Sequence, residues 1–134
     1  EWTIADGCVT VKRGTGTIKT KRVFEDFQLH IEWRSPSEVK GESQGRGNSG
    51  VFFRSTIEGV KISGWQCEVA PKDHHTGGIY ESYGRGWLIK PNPMHERFLK
   101  TGKWNTLRLL VVGDEVTTWL NGHMMINLKD EKIG

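Results

Sequence analysis

Phe27-Gln28-Leu29-His30-Ile31-Glu32-Trp33-Arg34 alternates apolar and polar side chains without a break. Successive side chains of an extended chain point to opposite faces. Leu29, Ile31 and Trp33 therefore share one face, and His30, Glu32 and Arg34 share the other. The same period of two recurs on both sides of this stretch. Cys8-Val9-Thr10-Val11 alternates and ends at Gly14-Thr15-Gly16, and Thr17 to Thr20 reads as a short strand. Downstream, strands are predicted over 51–55, 64–70, 78–83, 104–112, 116–120 and 123–128. Gly113-Asp114 joins one pair, and Asn121-Gly122 is a strong two-residue hairpin signal. Residues 35–49 and 84–101 read as long loops, the kind that often carries function. No helical period appears. The pattern predicts an all-β, sandwich-type single domain over residues 1–134.

Composition narrows the classes. The chain has 134 residues, 35% of them hydrophobic, and a mean hydropathy of −0.54. No apolar run approaches the roughly 18 residues of a membrane span, so no membrane partner is expected. The chain opens on Glu1 with no signal peptide, and its natural N-terminus is expected to have been removed. The net charge of +3 comes from 19 basic and 16 acidic residues. The basic residues are dispersed apart from Lys12, Arg13, Lys19, Lys21 and Arg22, which argues against nucleic acid as a partner. Cys8 and Cys67 suit either one disulfide or two thiols. Seventeen glycines imply many turns. Six tryptophans imply a heavy core or a stacking surface.

Several positions carry chemistry. Gly45-Arg46-Gly47-Asn48-Ser49-Gly50 matches a dinucleotide fingerprint, but a polar loop precedes it and a strand follows, so that reading is rejected. In a regular strand Gly50, Phe52 and Arg54 share a face, and Arg54 there needs an anionic or hydrogen-bonding partner. A ligand would serve, and so would Glu32 or Glu68. Those two glutamates lie on the polar sides of their strands. They are either an acid/base pair or two solvated residues. Gln66 accompanies Glu68. His74 and His75 sit in a loop, where a metal ion or a proton-transfer role is open. No metal or other cofactor is required by any pattern. Tyr80, Tyr83, Trp87 and Trp119 are candidates for stacking on a sugar ring, against the commoner fate of packing in the core.

Five segments in order resemble the 3-keto-disaccharide hydrolase family, and together they cover most of the chain. They are Asp26–Trp33, Asn48–Arg54, His75–Tyr80, Gly102–Asn105 and Trp119–Gly122. The resemblance implies a concanavalin A-like jelly-roll sandwich, a secreted or periplasmic setting, and action on glycosides whose C3 hydroxyl is oxidised to a ketone. It puts Glu32, Asn48, Arg54 and Tyr80 on the concave face. The sequence departs from the family in two ways. Gly64-Trp65-Gln66-Cys67-Glu68 exchanges the family's acid and amide, and Pro71 replaces a following Asp. This leaves the catalytic carboxylate open, with Glu68 a candidate for a shifted role. The chain also starts after the family's usual first strand and stops before its usual last.

These readings combine into one expectation. Glu68 or Glu32 removes the C2 proton, Arg54 and Asn48 stabilise the enolate, and His75 protonates the leaving group. Asn48, Gln66, Tyr80, Trp87 and Trp119 hold the carbohydrate. Glu32, Arg54 and Glu68 are expected to share one hollow, and Arg54→Ala is expected to harm turnover more than folding. The competing class is a lectin-like, non-catalytic binding module. A sandwich-fold glucanase is a third option, but no strand carries its alternating acids.

Overall fold

The alternating segments become ten strands in a computed structural model that describes residues 2–11, 16–34, 38 and 47–134. They are β1 (Trp2–Ala5), β2 (Cys8–Val11), β3 (Phe27–Trp33), β4 (Ser49–Glu58), β5 (Lys61–Val69), β6 (Ile79–Ser82), β7 (Gly86–Ile89), β8 (Asn105–Val112), β9 (Glu115–Leu120) and β10 (His123–Lys129). A short 3-10 helix spans Pro93–Phe98. All pairings are antiparallel. One sheet has the order β10-β9-β8-β3 and the other β4-β5-β6-β7, while β1 and β2 form a separate hairpin.

The two four-stranded sheets pack face to face, as a sandwich requires. Leu107, Leu109, Val111, Val116 and Leu120 of the first sheet are fully buried against Phe53, Cys67 and Ile79 of the second. Each such aliphatic side chain contributes about 1.5–3 kcal/mol by leaving water. Phe27, Leu29, Ile31 and Trp33 pack onto the same core. This is the face predicted from alternation. The polar face of β3, including Glu32, is exposed.

Several expectations need correction. Thr17–Thr20 forms no strand, and β1 and β7 were not anticipated. Residues 84–101, read as one loop, hold β7 and the 3-10 helix, whose N-terminus carries Asn92 as cap and Pro93 inside the first turn. Most of the loop predicted over 35–49 lies outside the described residues, as do Lys12 and Arg13. Cys8 and Cys67 are free thiols, and burial pushes the Cys67 thiol far up.

Two of the motifs build the frame. Asn121 and Gly122 adopt φ of 50° and 84°, as a two-residue turn demands. The Asn121 amide donates to Phe98 O (2.7 Å) and to Asn105 Oδ1 (2.9 Å), and accepts from Thr106 N at 2.9 Å. Asn105, buried, ties Lys100 and Lys103 to the end of β8. These asparagines satisfy loop backbone that would otherwise be buried unpaired.

Gly77 fastens the loop before β6 to the opposite sheet. Its carbonyl accepts from Thr118 Oγ1 at 2.7 Å. A Cβ there would lie 2.8 Å from Met125 Cβ, at a φ of +90°. Gly77→Ala combines left-handed strain with overpacking and is expected to cost about 2–5 kcal/mol, read as a lower urea midpoint at unchanged m-value.

Candidate active site

On β5, Trp65, Cys67 and Val69 turn toward the core, so Gln66 and Glu68 project from the outer face of the second sheet. The register sets Gly50 of β4 opposite Glu68. On the other side Glu68 N donates to Gly78 O at 2.9 Å, and Gly77 N donates to Glu68 O at 2.9 Å. Glu68 thus stands between two residues without side chains. A Cβ on Gly50 would lie 2.3 Å from Gln66 Nε2, because the Gln66 amide lies across that glycine. From there Nε2 donates to Glu68 Oε1 at 2.9 Å and to Ser49 O at 3.3 Å. Asn48 Nδ2 donates to Glu68 Oε2 at 3.0 Å. The carboxyl is 3% exposed with a bond on each oxygen, which meets the requirement for burying such a group.

One step along the strands, Phe52, Gln66, Tyr80 and Trp87 stand in register across all four strands. Tyr80 meets Trp87 edge-on at 5.3 Å between centroids, and His75 meets Trp87 edge-on at 5.1 Å. Lys90 Nζ lies 5.5 Å from the Trp87 centroid. Aromatic edges and faces beside polar groups are what a sugar ring stacks against.

His75 is fixed by its backbone. Its φ is 74°, and its N–H donates to Glu96 Oε1 at 2.9 Å, while Asp73 N donates to Oε2 at 3.0 Å. Glu96 is buried, and this pushes its carboxyl pKa up against the opposing pull of the two N–H donors. Thr76, fully buried, closes the same loop through Ala70 N (3.0 Å) and Ala70 O (2.8 Å). Burial, then the charges of Lys90 and His74, lower the His75 pKa below its ordinary value. A lowered pKa favours the neutral imidazole, which can take up a proton.

Six of the expected site residues therefore meet on one face: Glu68, Gln66, Asn48, His75, Tyr80 and Trp87. Three do not. Glu32 and Trp119 project from the outer face of the other sheet, where Arg108 lies 3.8 Å from the Trp119 ring centroid. Arg54 misses the site because the register of β4 shifts between Phe53 and Thr56. At that bulge Arg54 has φ 46° and no longer continues the row of Gly50 and Phe52. Its guanidinium donates to Glu25 O (2.9 and 3.2 Å), Ile133 O (2.7 Å), Gly113 O and Asp26 Oδ1 (3.0 Å). Asp26 also accepts from Gly113 N at 2.9 Å. Arg54 is a clamp between the sheets, and the shared hollow expected for Glu32, Arg54 and Glu68 does not form.

Sequence reasoning missed Glu96, whose signal was the Asn92-Pro93 helix start inside a presumed loop. It also missed Trp2. A hollow of about 310 Å³ lies beside Gln66, and Trp2 is among the residues that line it. Among the described residues no group of three or more His, Cys, Asp or Glu side chains gathers to hold a metal ion. Among the same residues no helix is long and apolar enough to cross a membrane.

Comparison with known proteins agrees with this arrangement of sheets. The sequence profile of the 3-keto-alpha-glucoside-1,2-lyase-like domain matches residues 1–134. A crystal structure of a proposed glycosyl hydrolase from Parabacteroides distasonis superposes with a TM-score of 0.59 at 18% identity. The match covers 96% of this chain and 62% of that one, so the chain spans under two thirds of the length of its structural neighbour. No curated protein matches.

Proposed function

The chain belongs to the 3-keto-alpha-glucoside-1,2-lyase-like family, and from that premise we propose that it cleaves glycosides whose C3 hydroxyl has been oxidised to a ketone. The observation that supports this reading is the buried Glu68 carboxylate, held by the Asn48 and Gln66 amides between two glycines and beside an aromatic row.

A ketone at C3 acidifies the C2 proton. Glu68 takes that proton, and the C–H electron pair becomes an enolate with its charge on the C3 oxygen. The enolate re-forms the C3 carbonyl, a C1–C2 double bond appears, and the C1–O bond breaks with its pair on the aglycone oxygen. That oxygen receives the proton back from Glu68. Water then adds its oxygen to C1. Neutral His75 accepts the water's proton and returns it to C2. The amides of Asn48 and Gln66 aim the carboxylate and take over the enolate-stabilising part expected of Arg54. Tyr80 and Trp87 supply the stacking edge. An extracytoplasmic setting is part of the same proposal, tested by locating the full-length protein in cell fractions.

The test is incubation with a 3-keto-glucoside beside its unoxidised parent. Conversion of the keto sugar alone supports the reading. Binding of both with conversion of neither leaves a lectin-like module instead.

The division of labour predicts a split phenotype. His75→Asn should still eliminate the aglycone but accumulate the unsaturated keto sugar, visible by its enone absorbance. Because the His75 pKa is lowered, hydration should fall to half its rate only below the pH of about 6.5 at which an ordinary histidine is half protonated. A rate that instead rises steadily as pH falls through 6.5 would mean that His75 works as the acid.

A further inference from the structure

Tyr83 stands in the turn between β6 and β7 and takes no part in the chemistry proposed above. It is 73% exposed, its φ is 56°, and Lys61 Nζ lies 4.6 Å from its ring centroid. A tyrosine in the left-handed region carries local strain that a glycine there would not. The residue lines an open hollow of about 510 Å³ together with Tyr80, Ser82, Gly84, Arg85 and Gly86, a volume within the range of small-molecule sites. Tyr80 also belongs to the aromatic row of the candidate site, where it meets Trp87, so the hollow opens onto that site. Gly86 leaves the Tyr80 edge bare on that side, since a Cβ there would touch Tyr80 Cε2 at 3.7 Å. Ser82 pairs with Gly64, four residues before Glu68 on β5, so the hollow lies about 13 Å along the sheet from the Glu68 level.

We infer that this hollow is a second saccharide subsite, in which Tyr83 stacks on a neutral sugar ring linked to the one that lies over Glu68. The inference rests on the carbohydrate reading of that site, but its observations are separate. A hexose presents a C–H face and a rim of hydroxyls. The Tyr83 ring offers the C–H face a stacking partner. The Ser82 hydroxyl and the Arg85 guanidinium offer the rim hydrogen bonds. Arg85 is held in place through Nε by Glu81 and through Nη2 by Asp130, which leaves its other N–H groups to donate. Charge argues for a neutral ligand. Arg85 and Lys61 are matched by Glu81 and Asp130, so an anion would meet no net positive field. The distance from Glu68 excludes a single ring and suits a chain of two or three.

Calorimetric titration of the whole chain with α- and β-linked gluco-oligosaccharides of one, two and three units tests this, with turnover of a 3-keto-glucoside measured in parallel. In one linkage series affinity should rise about three- to tenfold from the single ring to the longer members, the equivalent of one aromatic contact. That gain should vanish in Tyr83→Ala and persist in Tyr83→Phe, which keeps the ring without its hydroxyl. Because Tyr83 is mostly exposed, its truncation leaves the core intact. No gain with length in either series, a gain that survives Tyr83→Ala, or one lost in Tyr83→Phe as well overturns the subsite. A Tyr83-dependent gain without turnover of the keto-glucoside keeps the subsite and removes the chemistry. Turnover without the gain does the opposite, and absence of both binding and turnover removes both.

Discussion

Glu68→Gln lowers turnover of a 3-keto-glucoside by about 10²–10⁴-fold, the usual contribution of a positioned base. The substitution preserves shape but removes the proton acceptor. It also turns one amide donor toward another, since Asn48 and Gln66 each donate to a Glu68 oxygen. That conflict costs about 1–3 kcal/mol, which a stable domain tolerates. Thermal unfolding of the variant should thus show a modest drop, while single-turnover assays show near-complete loss. Activity within about tenfold of the parent would be too small an effect for a base. The C2 proton would then have to go elsewhere, and the imidazole of His75 would become the acceptor to test.

Arg54→Ala produces a large loss of stability. The guanidinium, 14% exposed, bonds three carbonyl oxygens and the Asp26 carboxylate. Those partners come from the segment before β3, the β8–β9 turn and the C-terminal turn, so one side chain ties β4 to three distant parts of the chain. Removing it leaves several acceptors without their charged donor, a loss of about 3 kcal/mol and on the order of 10 °C in Tm. Arg54→Lys should recover little, because one ammonium cannot reproduce the planar fork. Asp26 is 57% exposed, so its ion pair alone is a minor part of the effect. This reverses the sequence-based expectation that Arg54 matters more to turnover than to folding. An unchanged denaturation midpoint for Arg54→Ala would contradict the clamp.

The residues singled out in the sequence divide along the same line. Asp26, Arg54, Gly77, Asn105 and Asn121 hold loops and sheets together. Glu68, Gln66, Asn48 and His75 present the polar groups. A conspicuous residue inside a motif can belong to either set, and only its partners tell which.

Local pattern alone determined most of the strands, the inward row Leu29-Ile31-Trp33, the Asn-Gly turn, and the outward direction of Glu32, Gln66 and Glu68, but not β1 or β7. Those properties follow from the period of two and from turn chemistry, which act within a few residues. Tertiary structure decided the rest. A sandwich has two outer faces, and alternation cannot say which one an outward residue joins. Long-range pairing put Glu32 and Trp119 on one face and Glu68 on the other. A bulge of β4 took Arg54 out of its row, and packing of the N-terminal hairpin brought Trp2 beside the site. Each of these depends on contacts between residues far apart in the chain.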